Sequence, residues 1–250
     1  MQLGNMEYFG LVEWIFVIST IMILPIIIFS LIASVRVSTT FNKYSKVQVR
    51  NGMSAAELAR KLLDENNVDC RVELGHGHLS DHYDPRSKTV VLSPRVYNGT
   101  DVAAYGVAAH EVGHAIQDAT GYMPLKLRQL VIKSTSLINR MLMPLIIFGL
   151  FAQFFIFYTS PIFIYIILAF VIVYGISFVV SVITLPTEYN ASRRAMEMLR
   201  QSNLMEQSDL RDSSKVLNAA ALTYVAAMAV SLVFFLRHLS VLLIMLSNRR

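Results

Sequence analysis

The chain has 250 residues, 54% of them hydrophobic and only 16% charged, with a formal net charge of +5 and a mean hydropathy of +0.50. That is too apolar for a typical soluble domain and points to membrane spans. The single cysteine, Cys70, excludes an intramolecular disulfide and a cysteine-rich zinc site, and no nucleic-acid motif competes for the positive charge.

The first apolar run is roughly Trp14 to Val35, with Pro25 as an expected kink. Its N-terminal flank holds Glu7 and Glu13 but no Lys or Arg, and no small-residue cleavage site follows, so it does not read as a signal peptide. A polar, basic linker follows from Val37 to Gly52. Ser54-Ala-Ala-Glu57 is a capping box, and Leu58, Leu62 and Leu63 mark the apolar face of the helix it opens, which should end near Asn66-Asn67.

Arg71 to Leu74 alternates like a strand, and Thr89 to Leu92 is a β-branched run. Between them, Gly75 to Ser87 holds three of the six histidines, His76, His78 and His82, and the turn signal Asp84-Pro85. Two readings stand here. One is a small sheet beside the next helix, with an edge strand that receives extended substrate. The other is a polar loop joining two strands.

The segment 101–118 carries His110-Glu111-Val112-Gly113-His114, an H-E-x-x-H motif. Chance would place this pattern in a chain of this composition about half a per cent of the time. Residues four apart share a helix face, so the two imidazoles converge on one ion. Zinc accepts neutral imidazole nitrogen and, in catalytic sites, keeps a position open for water; Glu111 beside it is placed to take that water's proton. Thr100 or Asp101 is the expected N-cap, and Gly121 and Pro124 close the helix. Gly113 costs about 1 kcal/mol relative to alanine inside a helix, which close approach of another backbone would explain.

From Leu125 a second helical pattern runs into an apolar span, Leu142 to Tyr158, with Pro144 as a kink; a third run, Pro161 to Leu185, follows after Thr159-Ser160, giving a tight hairpin. Pro186-Thr187-Glu188 then reads as a helix start. A fourth run spans about Ala219 to Leu236, where Arg237 and His238 interrupt it; the tail Leu239 to Leu246 extends that span or lies in the interface. Of 22 Lys and Arg residues, 14 lie between Arg36 and Arg140, 5 between Arg193 and Lys215, and 3 at or after Arg237. By the positive-inside rule, residues 36–140 and 186–218 face the cytoplasm and the N-terminus faces outward.

Glu188 is the leading candidate for the third zinc ligand, because a carboxylate at the mouth of a span is costly unless paired or bound to metal. The rivals are His76, His78, His82 and Asp118. Asn190 and Ser192 are candidate partners for the ligating histidines, and Arg193, Arg194 and Arg200 continue the same helix toward carboxylates or lipid phosphates. His82 and Tyr83 are candidate oxyanion donors.

With these pieces placed, the chain resembles the YugP-type neutral zinc metallopeptidases of bacterial membranes. The resemblance rests on Ser54-Ala-Ala-Glu57-Leu-Ala-Arg60, Leu79-Ser-Asp-His-Tyr-Asp-Pro-Arg86, Ala108 to Gln117, Pro186-x-Glu188 with Ala191-Ser-Arg-Arg-Ala195, and Lys215 to Ala226. It implies a multi-span zinc peptidase with His110, His114 and a downstream carboxylate as ligands and Glu111 as base. The layout is also similar to HtpX-type membrane peptidases, which carry Asp four residues after the ligating Glu; here that position is Ser192.

The expectation is a mainly α membrane protein of about four transmembrane helices with a small α+β zincin-like cytoplasmic domain. Its parts are an N-terminal transmembrane helix (1–36), the zincin-like domain (37–140), a transmembrane hairpin (141–185), a cytoplasmic helix with the third ligand (186–218) and a C-terminal transmembrane or interfacial segment (219–250). It would be a multi-pass cell-membrane endopeptidase holding one catalytic zinc, with the bilayer and a membrane-associated peptide or protein substrate as partners. A zinc-bearing scaffold without proteolysis and a hydrolase of a lipid-linked substrate are the alternatives.

Overall fold

The computed structural model describes residues 10–77, 80–130 and 161–247. Its elements are α1 (Leu11–Tyr44), α2 (Ala55–Glu65), β1 (Arg71–Leu74), β2 (His82–Asp84), β3 (Thr89–Leu92), α3 (Pro94–Tyr97), α4 (Val102–Ala119), α5 (residues 123–130), α6 (Pro161–Gln201) and α7 (Gln207–Ser247). They belong to two compact units, one drawn from 1–31, 129–182 and 226–250, the other from 32–128 and 183–225. Each of α1, α6 and α7 contributes residues to both.

The first unit is apolar. Three helices among the described residues are long and apolar enough to cross a membrane: α1, the 39 residues Phe163–Gln201 of α6, and α7. Ile18, Ile21, Leu24, Leu31 and Val35 of α1 are exposed, as a lipid-facing helix requires. Four spans were expected; the missing one, Leu142 to Tyr158 with Pro144, lies outside the described residues, as does His78. Pro25 sits inside α1, which is unbroken there.

Two boundaries differ from the sequence reading. Pro186 does not start a helix: α6 runs through it to Gln201. Pro186 has no amide hydrogen to give the Val182 carbonyl one turn back, and membrane helices tolerate this where neighbouring groups take up the freed polarity. Nor do Arg237 and His238 interrupt α7, which continues to Ser247. His238 stacks with Phe170 at 4.7 Å and Tyr174 at 5.3 Å between centroids, and its Nδ1–H donates to the Phe234 carbonyl. Arg237 donates to the Thr20 hydroxyl at 2.6 Å and lies 5.4 Å from the Phe16 ring. Both polar groups are accommodated without breaking the helix.

The second unit is built around α4. Asp101 caps it, accepting from the Ala104 amide at 3.0 Å while pairing with Arg95 at 2.9 Å. The helix is buried on nearly every side: Val102, Ala104, Tyr105, Ala108, Ala109, Val112 and Ala115 share a core with Leu58, Leu62 and Leu63 of α2, Val90 and Leu92 of β3, Ala195, Met198 and Leu199 of α6, and Leu210 and Leu217 of α7. The alanines keep α4 thin enough for all these neighbours to reach it. α2 has the expected capping box on Ser54 and ends at Asn66.

The sheet order is β1-β3-β2, with β1 parallel and β2 antiparallel to β3. The expected strands are present, but the histidine stretch between them contains a third strand. After β1 the chain forms the far edge as β2. It then turns where Asp84 accepts from the Arg86 amide and the Ser87 hydroxyl, and enters the centre as β3.

Asp101→Ala should cost about 1–2 kcal/mol through the lost cap, and Asp101→Asn, which keeps an acceptor, should cost less. Thermal unfolding of the full chain in detergent checks this order.

Candidate metal centre

α4 places His110 and His114 one turn apart with their rings edge to face, centroids 4.7 Å apart. α6 brings Glu188 against them. Its Oε2 lies 3.1 Å from His110 Nε2 and 3.5 Å from His114 Nε2, and the carboxylate is 1% exposed. The three ligand atoms all lie within 4.8 Å of one another. Two ligands each about 2.0–2.1 Å from a tetrahedral zinc stand ~3.3 Å apart, and the two measured nitrogen–oxygen separations bracket that value.

The protonation pattern fits a cation as well. Gln117 Nε2 donates to the Thr187 carbonyl at 2.8 Å, and a carbonyl can only accept. The amide is therefore oriented with Oε1 toward His114 Nδ1, 3.0 Å away, so the ring proton of His114 sits on Nδ1. Ser192 Oγ stands 3.2 Å from His110 Nδ1 and holds that ring from the same side. Rings held like this turn Nε2 toward the carboxylate oxygen of Glu188, where a divalent cation would make the same set a ligand shell.

Two local features let α4 and α6 approach. A Cβ on Gly113 would stand 2.7 Å from the Ala191 carbonyl oxygen, so only glycine permits this contact. Glu188 and Ser192 are one turn apart on α6 and so meet the same face of α4. Asn190 acts on Gln117 instead of on a histidine: its Oδ1 accepts from Gln117 Nε2 at 3.0 Å and from Arg194 Nε at 2.9 Å.

Residues 19–243 match the family described as "Putative neutral zinc metallopeptidase". The chain belongs to that family. Among curated proteins it is similar to the "Putative membrane protease YugP" of Bacillus subtilis (strain 168), 37% identical over 212 residues that cover 84% of this chain and 90% of the relative. No solved structure matches it.

In this zinc-metallopeptidase family member, Glu111 is 8% exposed. Burial pushes its carboxyl up to about 7, with His110 opposing and Glu188 and Asp81 adding to the rise. Arg128 Nη1 lies 2.6 Å from Glu188 Oε1, and Tyr224 sits in the field of Glu188, Arg128 and Glu111.

The other proposed site residues fall elsewhere. Asp118 accepts from the Tyr83 hydroxyl at 2.8 Å. That bond commits the Tyr83 proton to Asp118 in this structure. His82 is exposed on β2 with Nδ1 2.7 Å from the Ser80 carbonyl, within the field of Glu111. His76 lies in the exposed bend after β1 and, like His82 and Asp118, is not among the three converging ligands. Gln117, Arg128 and Tyr224 were not foreseen. Gln117 had a signal, lying three residues past His114 on one helix face. Arg128 had a weaker one: a buried carboxylate demands a cation without saying which.

Gly113→Ala should destabilise the protein by about 1–3 kcal/mol through overpacking, seen as a lower melting temperature. Gln117→Ala should weaken zinc affinity by roughly 10–100-fold, measured by competition with a chromogenic chelator; unchanged affinity would refute its role in orienting His114.

Proposed function

We propose that the protein is a membrane zinc metalloendopeptidase that cuts membrane or membrane-proximal proteins at the cytoplasmic face. The observation that carries this reading is Glu111, a buried carboxylate next to a His110–His114–Glu188 ligand set. A structural metal site has no use for such a base.

Zinc held by His110, His114 and Glu188 would supply Lewis acidity, activating a water and polarising the scissile carbonyl. Glu111 takes the proton of the attacking water and delivers it to the leaving amine; burial, which raises its affinity for a proton, suits it to both transfers. Gln117 and Ser192 keep the two imidazoles in register during turnover. His82, whose Nε2 has no hydrogen-bond partner among the described residues, is the proposed donor to the developing oxyanion. The outer edge of β2 suits an extended peptide added as a further strand, which would run past α4.

The sequence of α6 supports a site near the membrane. Leu185 ends its apolar stretch and Glu188 is three residues on, within one helical turn. The distribution of Lys and Arg supports the cytoplasmic side.

Glu111→Gln should retain about one zinc per chain and lose roughly 10²–10⁴-fold in peptide hydrolysis. Proteolysis at the wild-type rate in that variant would sink the mechanism. Zinc-dependent cleavage of a lipid-linked compound but of no peptide would place the same chemistry on another substrate class.

A further inference from the structure

We propose that Arg128 is a positioning residue that keeps Glu188 a one-oxygen ligand and so preserves the open position of the metal site; this rests on the zinc reading above. The two oxygens of Glu188 are differently occupied. Oε2 faces both imidazoles, at 3.1 and 3.5 Å. Oε1 turns away from them and meets Arg128 Nη1 at 2.6 Å. Glu188 is 1% exposed, so water does not compete for either oxygen.

A carboxylate free to rotate can close on a zinc ion with both oxygens. That would fill the position which a catalytic site reserves for water. A guanidinium is always charged, and its attraction favours the carboxylate orientation that keeps one oxygen beside it. With Oε1 paired to Arg128, Oε2 is the oxygen left facing the metal site.

The chain delivers Arg128 to this spot by a defined turn. Gly121, at φ +66°, ends α4, and the Tyr122 amide closes back on the Gln117 carbonyl at 2.8 Å. α5 then starts, with Leu125 buried and Arg128 one turn further on. The segment that ends the H-E-x-x-H helix thus also carries the cation for the third ligand.

The test uses full-length protein in detergent, with cobalt(II) in place of zinc. Wild type should give the intense visible bands of four-coordinate cobalt. Arg128→Gln, close in shape but neutral, should bind one equivalent with weaker bands, as coordination rises toward five. Its zinc-induced rise in melting temperature should exceed that of wild type, because the metal-free variant lacks the cation beside Glu188. Wild-type bands and a wild-type melting increment in Arg128→Gln would overturn the proposal. If that variant does not fold, infrared difference spectra of wild type with and without zinc decide the matter. A wide separation between the asymmetric and symmetric carboxylate stretches marks one-oxygen binding, and a narrow one overturns it. Failure of wild type to take up any metal would instead defeat the zinc reading itself, and this inference with it.

Discussion

A carboxylate 1% exposed, facing two imidazoles across 3.1 and 3.5 Å, is the constraint around which the H-E-x-x-H unit is built. A buried, uncompensated carboxylate is strongly destabilising, and an ion-pair partner alone rarely recovers the whole desolvation cost. Glu188 therefore sits in a shell of compensating groups. Arg128 takes one oxygen, the imidazoles face the other, and Gln117 and Ser192 hold the rings in place from behind. Residues that look unrelated in sequence are in this sense one device.

The packing follows from the same requirement. His110 and Glu188 are 78 positions apart, and the two helices that carry them must nearly touch. Gly113 under the Ala191 carbonyl makes that possible, and the alanines of α4 admit α2, β3, α6 and α7 around a single central helix. Much of the intervening chain, 129–182, belongs to the other compact unit. Closing so long a loop costs only about 0.6 kcal/mol more for each doubling of its length, so an excursion of this size is compatible with a tight site. One helix, α6, then carries both an apolar stretch long enough to cross a membrane and the third metal-facing residue.

Much of this was legible in the residues because it is local. The i,i+4 histidines, the capping box on Ser54, the two β-branched or alternating strands and the cost of an unpaired Glu188 at the end of an apolar run all depend on near neighbours in sequence. What escaped depends on partners far along the chain. His82 to Asp84 is a strand because β3 supplies a ladder; three residues with one β-favouring tyrosine are too short to signal it alone. Pro186 carries the same signal at the start of a helix as within an apolar one, and only the three-dimensional structure shows which case applies. That the Tyr83 hydroxyl is bonded to Asp118, 35 positions along the chain, shows only in three dimensions.

The central claim is that Glu188, with His110 and His114, holds a metal ion. Its most direct test is the metal content of full-length protein purified in detergent, wild type beside Glu188→Ala, by mass spectrometry after dialysis against a weak chelator. The account predicts about one zinc per wild-type chain and close to none in Glu188→Ala. Equal zinc in the two proteins would contradict it.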